Sequence, residues 1–199
     1  MRHGQTEWNR EERFRGRADL ALTELGHRQA EAAARSLNGR RITAIYCSPL
    51  RRAVQTADAL SGELGLPVEP LDGLIDMDFG EFQGLSAEEA GARDADLLHK
   101  WIHAPHEAQF PNGDSLEDVR ERAAGAVHEL AAKHGDETVV LVAHKVVCQV
   151  LLCAMLGLDN SHFWQVGQDV CAINAFEVVG GATSVSKVND TCHLRDLDQ

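Results

Sequence analysis

Residues 137–157 read ETVVLVAHKVVCQVLLCAMLG, and their order decides the fold class. ETVVLVA (137–143) is a continuous apolar run of strand length. It lacks the polar alternation of a half-solvated strand, so it predicts a strand covered on both faces. His144 follows directly, and KVVCQVLLCAMLG (145–157) reads as a helix. A buried strand feeding a helix is the unit from which parallel sheets with helical faces are built.

The flanking segments repeat the pattern. Thr23 can cap a helix running to about Leu37, with Leu22, Leu25, Ala33 and Leu37 along one face. ITAIYC (42–47) is a short apolar strand. Ser48-Pro49 reads as an N-cap serine and first-turn proline, opening a helix through about Leu64. Ser115 caps a helix whose stripe is Leu116, Val119, Ala123, Val127 and Leu130. VCAINAFEVV (170–179) and TSVSKVN (183–189) read as two final strands. Strands alternating with helices predict an α/β fold, a three-layer α/β/α sandwich around a mostly parallel sheet. The chain of 199 residues, 44% hydrophobic, suits a single domain over residues 1–199.

The net charge of −12 repels nucleic acid and anionic membranes, so neither is an expected partner. A phosphate site would have to concentrate positive charge locally against that field. No apolar run is long enough to span a bilayer, and the polar, charged start lacks a signal-peptide pattern. The expectation is a soluble, cytoplasmic protein. Five cysteines, an odd number in mostly apolar surroundings, read as buried reduced thiols. Of the ten histidines, none forms an H-E-x-x-H motif. His99, His103 and His106 fall in a Trp- and Pro-containing segment that reads as a loop with surface histidines, so no metal and no cofactor is expected.

In parallel sheets, ligands bind beyond the carboxyl ends of the strands. Two pieces of chemistry sit at such ends: CSPLRRA (47–53), with Arg51 and Arg52 in a first helical turn, and VAH (142–144). Helix N-termini with free N–H groups favour anions, so arginines and histidines gathered there make a phosphate pocket. Singly these signals are weak: adjacent arginines usually form a solvated helix face, and a lone histidine is usually a hydrogen-bonded core residue.

Their order is specific. RHGQTEWN (2–9), RFRGRADLALTELGHRQA (13–30), YCSPLRRAVQTA (46–57), LIDMDFGEFQG (74–84), NGDSLEDVRER (112–122) and VVLVAH (139–144) form a series that resembles the histidine phosphatase superfamily, the phosphoglycerate-mutase-like enzymes. The resemblance spans nearly the whole chain. It implies that His3 is a nucleophile forming a phosphohistidine, which splits one hard displacement into two easier ones. It implies that Arg2, Arg52 and His144 hold the phosphoryl oxygens, with Asn9 near the phosphate and Arg51 exposed. A metal-independent site of this kind is chemically sufficient, because phosphoryl transfer needs mostly positioning and charge stabilisation.

A general acid must protonate the leaving alkoxide and later activate water. The family places a glutamate three residues before the aromatic of its F-G or Y-G pair; here that position is Asp76, with Glu81 a weaker second. Lys145-Val146 stands where the family often has a glycine pair. Lys145 either adds positive charge at the pocket rim or points into solvent. Family members usually run a short apolar strand straight into the RHG triplet. Here Met1 immediately precedes Arg2, so that first strand is apparently missing. The expected consequences are unpaired backbone groups in the sheet centre and an untethered nucleophile.

The short, cation-poor segment from 85 to 136 favours a phosphatase over a phosphoglycerate mutase. WIHAPHEAQFPNGDSLEDV (101–119), LLCAMLGLDNSHFWQVGQDVCAINAFEV (151–178) and KVNDTCHL (187–194) resemble the metal-independent phosphoserine phosphatase subgroup. In that subgroup a C-terminal histidine, matched by His193, contacts the amino-acid part of the substrate. Arg15 replaces a family glutamine and Phe79 a family histidine, both at positions that line the subgroup's site. The leading expectation is hydrolysis of a small acidic phosphate ester such as phosphoserine. The alternatives are a phosphoglycerate mutase, a broad-specificity or alpha-ribazole-type phosphatase, or a non-catalytic relative. The expected partner is a small phosphorylated metabolite, and a homodimer is left open.

Overall fold

The computed structural model describes residues 1–197. Helices α1 (Glu7–Arg10) and α2 (Glu24–Leu37) lead into strand β1 (Ile42–Cys47). Helix α3 (Arg51–Leu64) joins β1 to β2 (Val68–Pro70). A long excursion carrying α4 (Ala87–Arg93), α5 (Ala95–His103) and α6 (Leu116–His134) leads to β3 (Thr138–Val142). Helix α7 (Lys145–Met155) follows, and β4 (Ile173–Val179) and β5 (Ala182–Asp190) close as an antiparallel hairpin. The central sheet is parallel, in the order β2-β1-β3. Among the described residues, no helix is long and apolar enough to cross a membrane.

Alternation along the strands sorts the core into two layers. Ile45, Cys47 and Val142 pack with Leu37, Ala53 and Leu60 of α2 and α3 on one face. Tyr46 and Ala143 pack with α6 and α7 on the other. Local chemistry sets the helix ends. The Thr23 hydroxyl accepts from the Gly26 amide at 3.0 Å. Ser115 and Asp118 form a reciprocal capping box at the start of α6. In α7 every residue from Val146 to Cys153 is buried, as a helix apolar all round but for Gln149 requires; the Gln149 amide donates to the Phe163 and Val166 carbonyls. The N-terminus of α7 therefore lies inside the molecule, at the carboxyl end of β3.

Two local expectations are corrected. Helix α3 begins at Arg51, with Leu50 as its N-cap residue. Ser48 is thus not a cap, and its hydroxyl turns to a histidine described below. The segment holding His99 and His103 is α5, not a loop. Its helical spacing brings those two rings to 4.5 Å. Among the described residues no third His, Cys, Asp or Glu joins them as a metal group. Cys47, Cys148, Cys153 and Cys171 are buried free thiols, whereas Cys192 is exposed.

His3, expected from the resemblance to be an untethered nucleophile, is held on both sides. Met1 donates its ammonium to the Leu141 carbonyl and accepts from Ala143 N at 2.9 Å; His3 N donates to Ala143 O at 3.0 Å. On the other edge, Arg2 N donates to Ala172 O at 3.1 Å and Cys171 N to His3 O at 3.0 Å. Three residues thus extend the sheet at its carboxyl end. A groove runs alongside the amino-terminal half of β3. It measures about 760 Å³ and lies between β3 and β4, lined by Met1, Leu130, Val139, Leu141, Ile173 and Ala175.

Candidate active site

Four elements converge at the carboxyl end of the sheet. The extended residues 1–3 bring Arg2 and His3, the first turn of α3 brings Arg52, the loop after β2 brings Asp76, and the β3–α7 junction brings His144. All five are buried, with Arg52 and His144 fully so. The glycine after His3 has a steric reason. A Cβ on Gly4 would lie 2.5 Å from the Gly26 carbonyl, so only glycine lets the nucleophile's strand rest on α2. Gly80 does the same for the acid loop, where a Cβ would meet the Pro111 carbonyl at 2.0 Å.

Arg52 is the hub. Its Nε donates to His3 Nε2 and to His144 Nδ1, both at 3.2 Å. Its Nη1 donates to the Ala18 carbonyl at 2.9 Å, and its Nη2 to the Gly16 carbonyl at 2.7 Å and to Asp76 Oδ2 at 2.9 Å. The loop between α1 and α2 therefore fixes the guanidinium from behind. These bonds also assign tautomers. His3 Nδ1 lies 2.6 Å from the Gly4 carbonyl, which can only accept, so Nδ1 carries the hydrogen. The Nε2 lone pair then faces the site. His144 accepts at Nδ1, and its Nε2 donates to Ser48 Oγ at 2.7 Å.

Electrostatics follow from burial. Burial, and then the neighbouring Arg52 and Arg2, hold the His3 imidazole well below its ordinary value; burial and Arg52 do the same to His144. Both rings are neutral, and the His3 Nε2 lone pair accepts from Arg52 Nε. Burial raises the Asp76 carboxyl despite the opposing pull of Arg52 and Arg15. Arg2 is lowered to about 9 by burial and then by Arg15. Its Nη1 donates to the Gln168 carbonyl at 2.6 Å, while its buried Nε has no protein partner. An orphaned guanidinium N–H in a cluster of cations and neutral imidazoles is suited to an anion.

Arg2 and Asp76 of this group line a cavity of about 780 Å³, together with Asn9, Arg15, Phe79 and Lys145, while His3, Arg52 and His144 are buried outside its lining. Asn9 Oδ1 accepts from the Thr6 amide and hydroxyl, each at 2.9 Å. Phe79 stands edge-on to Phe14, Trp101 and Phe110, with centroids 5.0–5.5 Å away, so one wall is aromatic. Lys145 points into the cavity, its Nζ 5.1 Å from the centre of the Trp164 ring.

Two candidates lie elsewhere. His193 Nε2 is 3.2 Å from the Cys171 carbonyl, and its ring lines the groove between β3 and β4 rather than this cavity. Its neighbours Thr191, Leu194 and Arg195 line the cavity instead. Glu81 is exposed and bonded to Arg93 and Asn112, outside the cavity. Of the two acids weighed, only Asp76 reaches the histidines. Arg51 is exposed. The sequence reading missed Ser48, Gln168 and Trp164. Ser48 carried a signal, its place right after a strand end, but that was spent on a capping role. The Gln168 contact is made by a backbone carbonyl, which leaves no trace in residue type.

Residues 1–191 match the family model described as histidine phosphatase superfamily (branch 1). Phosphoserine phosphatase 1 of Hydrogenobacter thermophilus is 34% identical over 197 residues, covering 99% of this chain and 93% of that protein. Glucosyl-3-phosphoglycerate phosphatase of Mycolicibacterium vanbaalenii is 34% identical over 206 residues, covering 98% of this chain and 84% of that protein. The solved structure of Bacillus stearothermophilus YhfR superposes with a TM-score of 0.94 at 31% identity, covering 98% of this chain and 96% of that one.

Proposed function

The chain belongs to the histidine phosphatase superfamily and is a phosphatase, and from that premise we propose that it is a metal-independent phosphomonoesterase acting through a phosphohistidine on His3. The observation that carries the reading is Arg52 Nε held between His3 Nε2 and His144 Nδ1, with Asp76 on the same guanidinium.

A phosphate dianion enters over Arg2 and Arg52, whose fixed charges take its equatorial oxygens. The Nε2 lone pair of His3 attacks phosphorus. The P–O ester bond breaks, and its electron pair leaves on the alkoxide oxygen, which takes the proton held by Asp76. In the second half Asp76, now a carboxylate, removes a proton from water. The hydroxide oxygen bonds to phosphorus, the N–P bond breaks, and its pair returns to Nε2. Arg2 and Arg52 stabilise the charge spread over the transferring group, the largest contribution such a site makes, while His144, its Nε2–H committed to Ser48, holds Arg52 Nε in place. Burial favours protonated Asp76 in the first half, and ester cleavage makes it the base for the second.

The substrate is a small acidic phosphate ester such as phosphoserine. The similarity to a protein named phosphoserine phosphatase 1 supports it. A sugar-bearing phosphoglycerate is the second reading. The size of the cavity and its aromatic wall favour it, as does the relative named glucosyl-3-phosphoglycerate phosphatase.

Rapid acid and alkaline quench of the enzyme mixed with labelled phosphoserine tests the mechanism. An acid-labile, alkali-stable phosphoenzyme that is absent from His3→Ala is the expected result. A His3→Ala enzyme that keeps most of its turnover overturns it.

A further inference from the structure

The cavity above the catalytic floor carries more positive charge than a phosphate needs. Arg2 lines the cavity, and Arg52 is fully buried outside the lining. Arg15 and Lys145 stand further out, and among the described residues neither has a carboxylate within 4.0 Å, whereas Arg13 on the same rim is paired with Glu11 and Glu89. Cations left unpaired beside each other in a half-buried site repel. Lys145 is lowered by burial and then by Arg2 and Arg15, with a smaller opposing pull from Asp169 and Glu12, and Arg15 by burial first, with Asp76 opposing; these three carboxylates line the cavity but pair with neither cation. Such an arrangement costs stability unless something anionic arrives.

Lys145 is also held in place. It is the first residue of α7, directly after His144, so its backbone is as fixed as the catalytic histidine. Its ammonium rests over the Trp164 indole, a cation–π contact. The indole is itself pinned by a 2.7 Å bond from Nε1 to the Trp101 carbonyl. A lysine free in solvent would lack both restraints.

His193, the residue expected to grip the far end of the substrate, faces the other cavity. We propose that Lys145, seated on Trp164 and aided by Arg15, is the specificity residue that takes a carboxylate on the non-phosphate end of the substrate. This rests on the phosphatase reading and narrows it to phosphate esters bearing a second anionic group. A carboxylate fits better than a second phosphate. The indole face leaves the ammonium few open directions, and an Arg15 Nη1 already donates to the Arg13 carbonyl at 3.1 Å. One or two donors suffice for a carboxylate, whereas a second phosphate dianion needs several.

Binding to a variant without its nucleophile separates this subsite from catalysis. The full chain carrying His3→Ala is titrated calorimetrically with 3-phosphoglycerate and with propyl phosphate, which has the phosphate but no carboxylate. The expected preference for 3-phosphoglycerate is about 10- to 100-fold, the range of one charge-assisted hydrogen bond. It should fall with added salt. Adding Lys145→Met should bring the ratio towards one, and Lys145→Arg should restore part of it. Trp164→Leu, which keeps the ammonium but removes its seat, should lower the ratio by a smaller factor. A ratio unaltered by Lys145→Met overturns the subsite, as does a parent that binds both ligands equally. Failure of the parent to bind either ligand overturns the reading that the substrate is a small phosphate ester.

Discussion

Replacing Asp76 by Asn separates acid catalysis from charge placement. Asp76 uses both oxygens: Oδ2 accepts from Arg52 Nη2 at 2.9 Å and Oδ1 from the Met77 amide at 3.0 Å. Asparagine keeps an acceptor towards Arg52 but turns its amide nitrogen towards the Met77 N–H, losing that bond. The stability cost is about 1–3 kcal/mol, and the thermal midpoint falls by roughly 2–4 °C per kcal/mol, so the variant remains folded. The chemistry changes more. A positioned general acid is worth about 10²–10⁴ in rate, and a serine-type alkoxide depends on it fully. A nitrophenolate leaves as a stable anion and does not. Stopped-flow of Asp76→Asn with nitrophenyl phosphate should therefore show a burst near the parent rate, followed by slow turnover, because the water in the second half has lost its base. Phosphoserine hydrolysis should fall by the full factor, and phosphoenzyme formed from the aryl ester should accumulate. Glu81→Gln, at an exposed residue outside the cavity, should alter neither rate. An equal loss of the aryl burst and the alkyl rate would refute the acid role and leave Asp76 as a support for Arg52.

Three further outcomes are expected. His3 and His144 are held well below the ordinary histidine value by burial and then Arg52; a depressed folded value gives stability that is present above about 6.5 and lost as pH falls below it. Thermal midpoints should decline from pH 7.5 to 5.5, and His144→Asn should flatten that decline; an unchanged slope would place the titration elsewhere. Ser48→Ala strands the His144 Nε2–H, costing about 1–3 kcal/mol, and should lower kcat for every phosphate ester alike; a loss confined to KM would mean that Ser48 does not orient His144. A variant carrying four or five apolar β-formers ahead of Met1 should fill the groove between β3 and β4. Each buried side chain contributes about 1.5–3 kcal/mol against about 1–2 kcal/mol of backbone ordering per residue, so the midpoint should rise by a few degrees, and an unchanged midpoint would show that no strand adds there.

The residues that were legible in the sequence act over one helical turn or one strand. Thr23 and Ser115 mark helix starts because a capping hydroxyl reaches only to the amide three residues on. ITAIYC and TVVLV are strands, as apolar runs of that length suggest, but full burial reaches only their carboxyl ends, Ile45–Cys47 and Val142, and not the whole of each run as a strand covered on both faces would require. The order of RHG, the adjacent arginines, the acid motif and VAH carried the family, and with it His3, Arg52, Asp76 and His144. What the tertiary structure alone decided lies between residues far apart in the chain. Ser48 meets His144 across 96 residues, and Arg52 meets His144 across 92. No local pattern encodes those distances; the register of β1 against β3 does. Asp76 and Glu81, two acids that look alike in LIDMDFGEF, part only in the folded chain, where Asp76 is buried against Arg52 and Glu81 is exposed against Arg93. The direction of His193 depends on where the segment after β5 crosses Cys171, and the seat of Lys145 on Trp164 depends on how α7 packs on the turn that follows it. Local sequence fixes which groups exist and what element carries them, because capping and periodicity are short-ranged. The meeting of those groups is set by packing, whose partners the chain brings from anywhere.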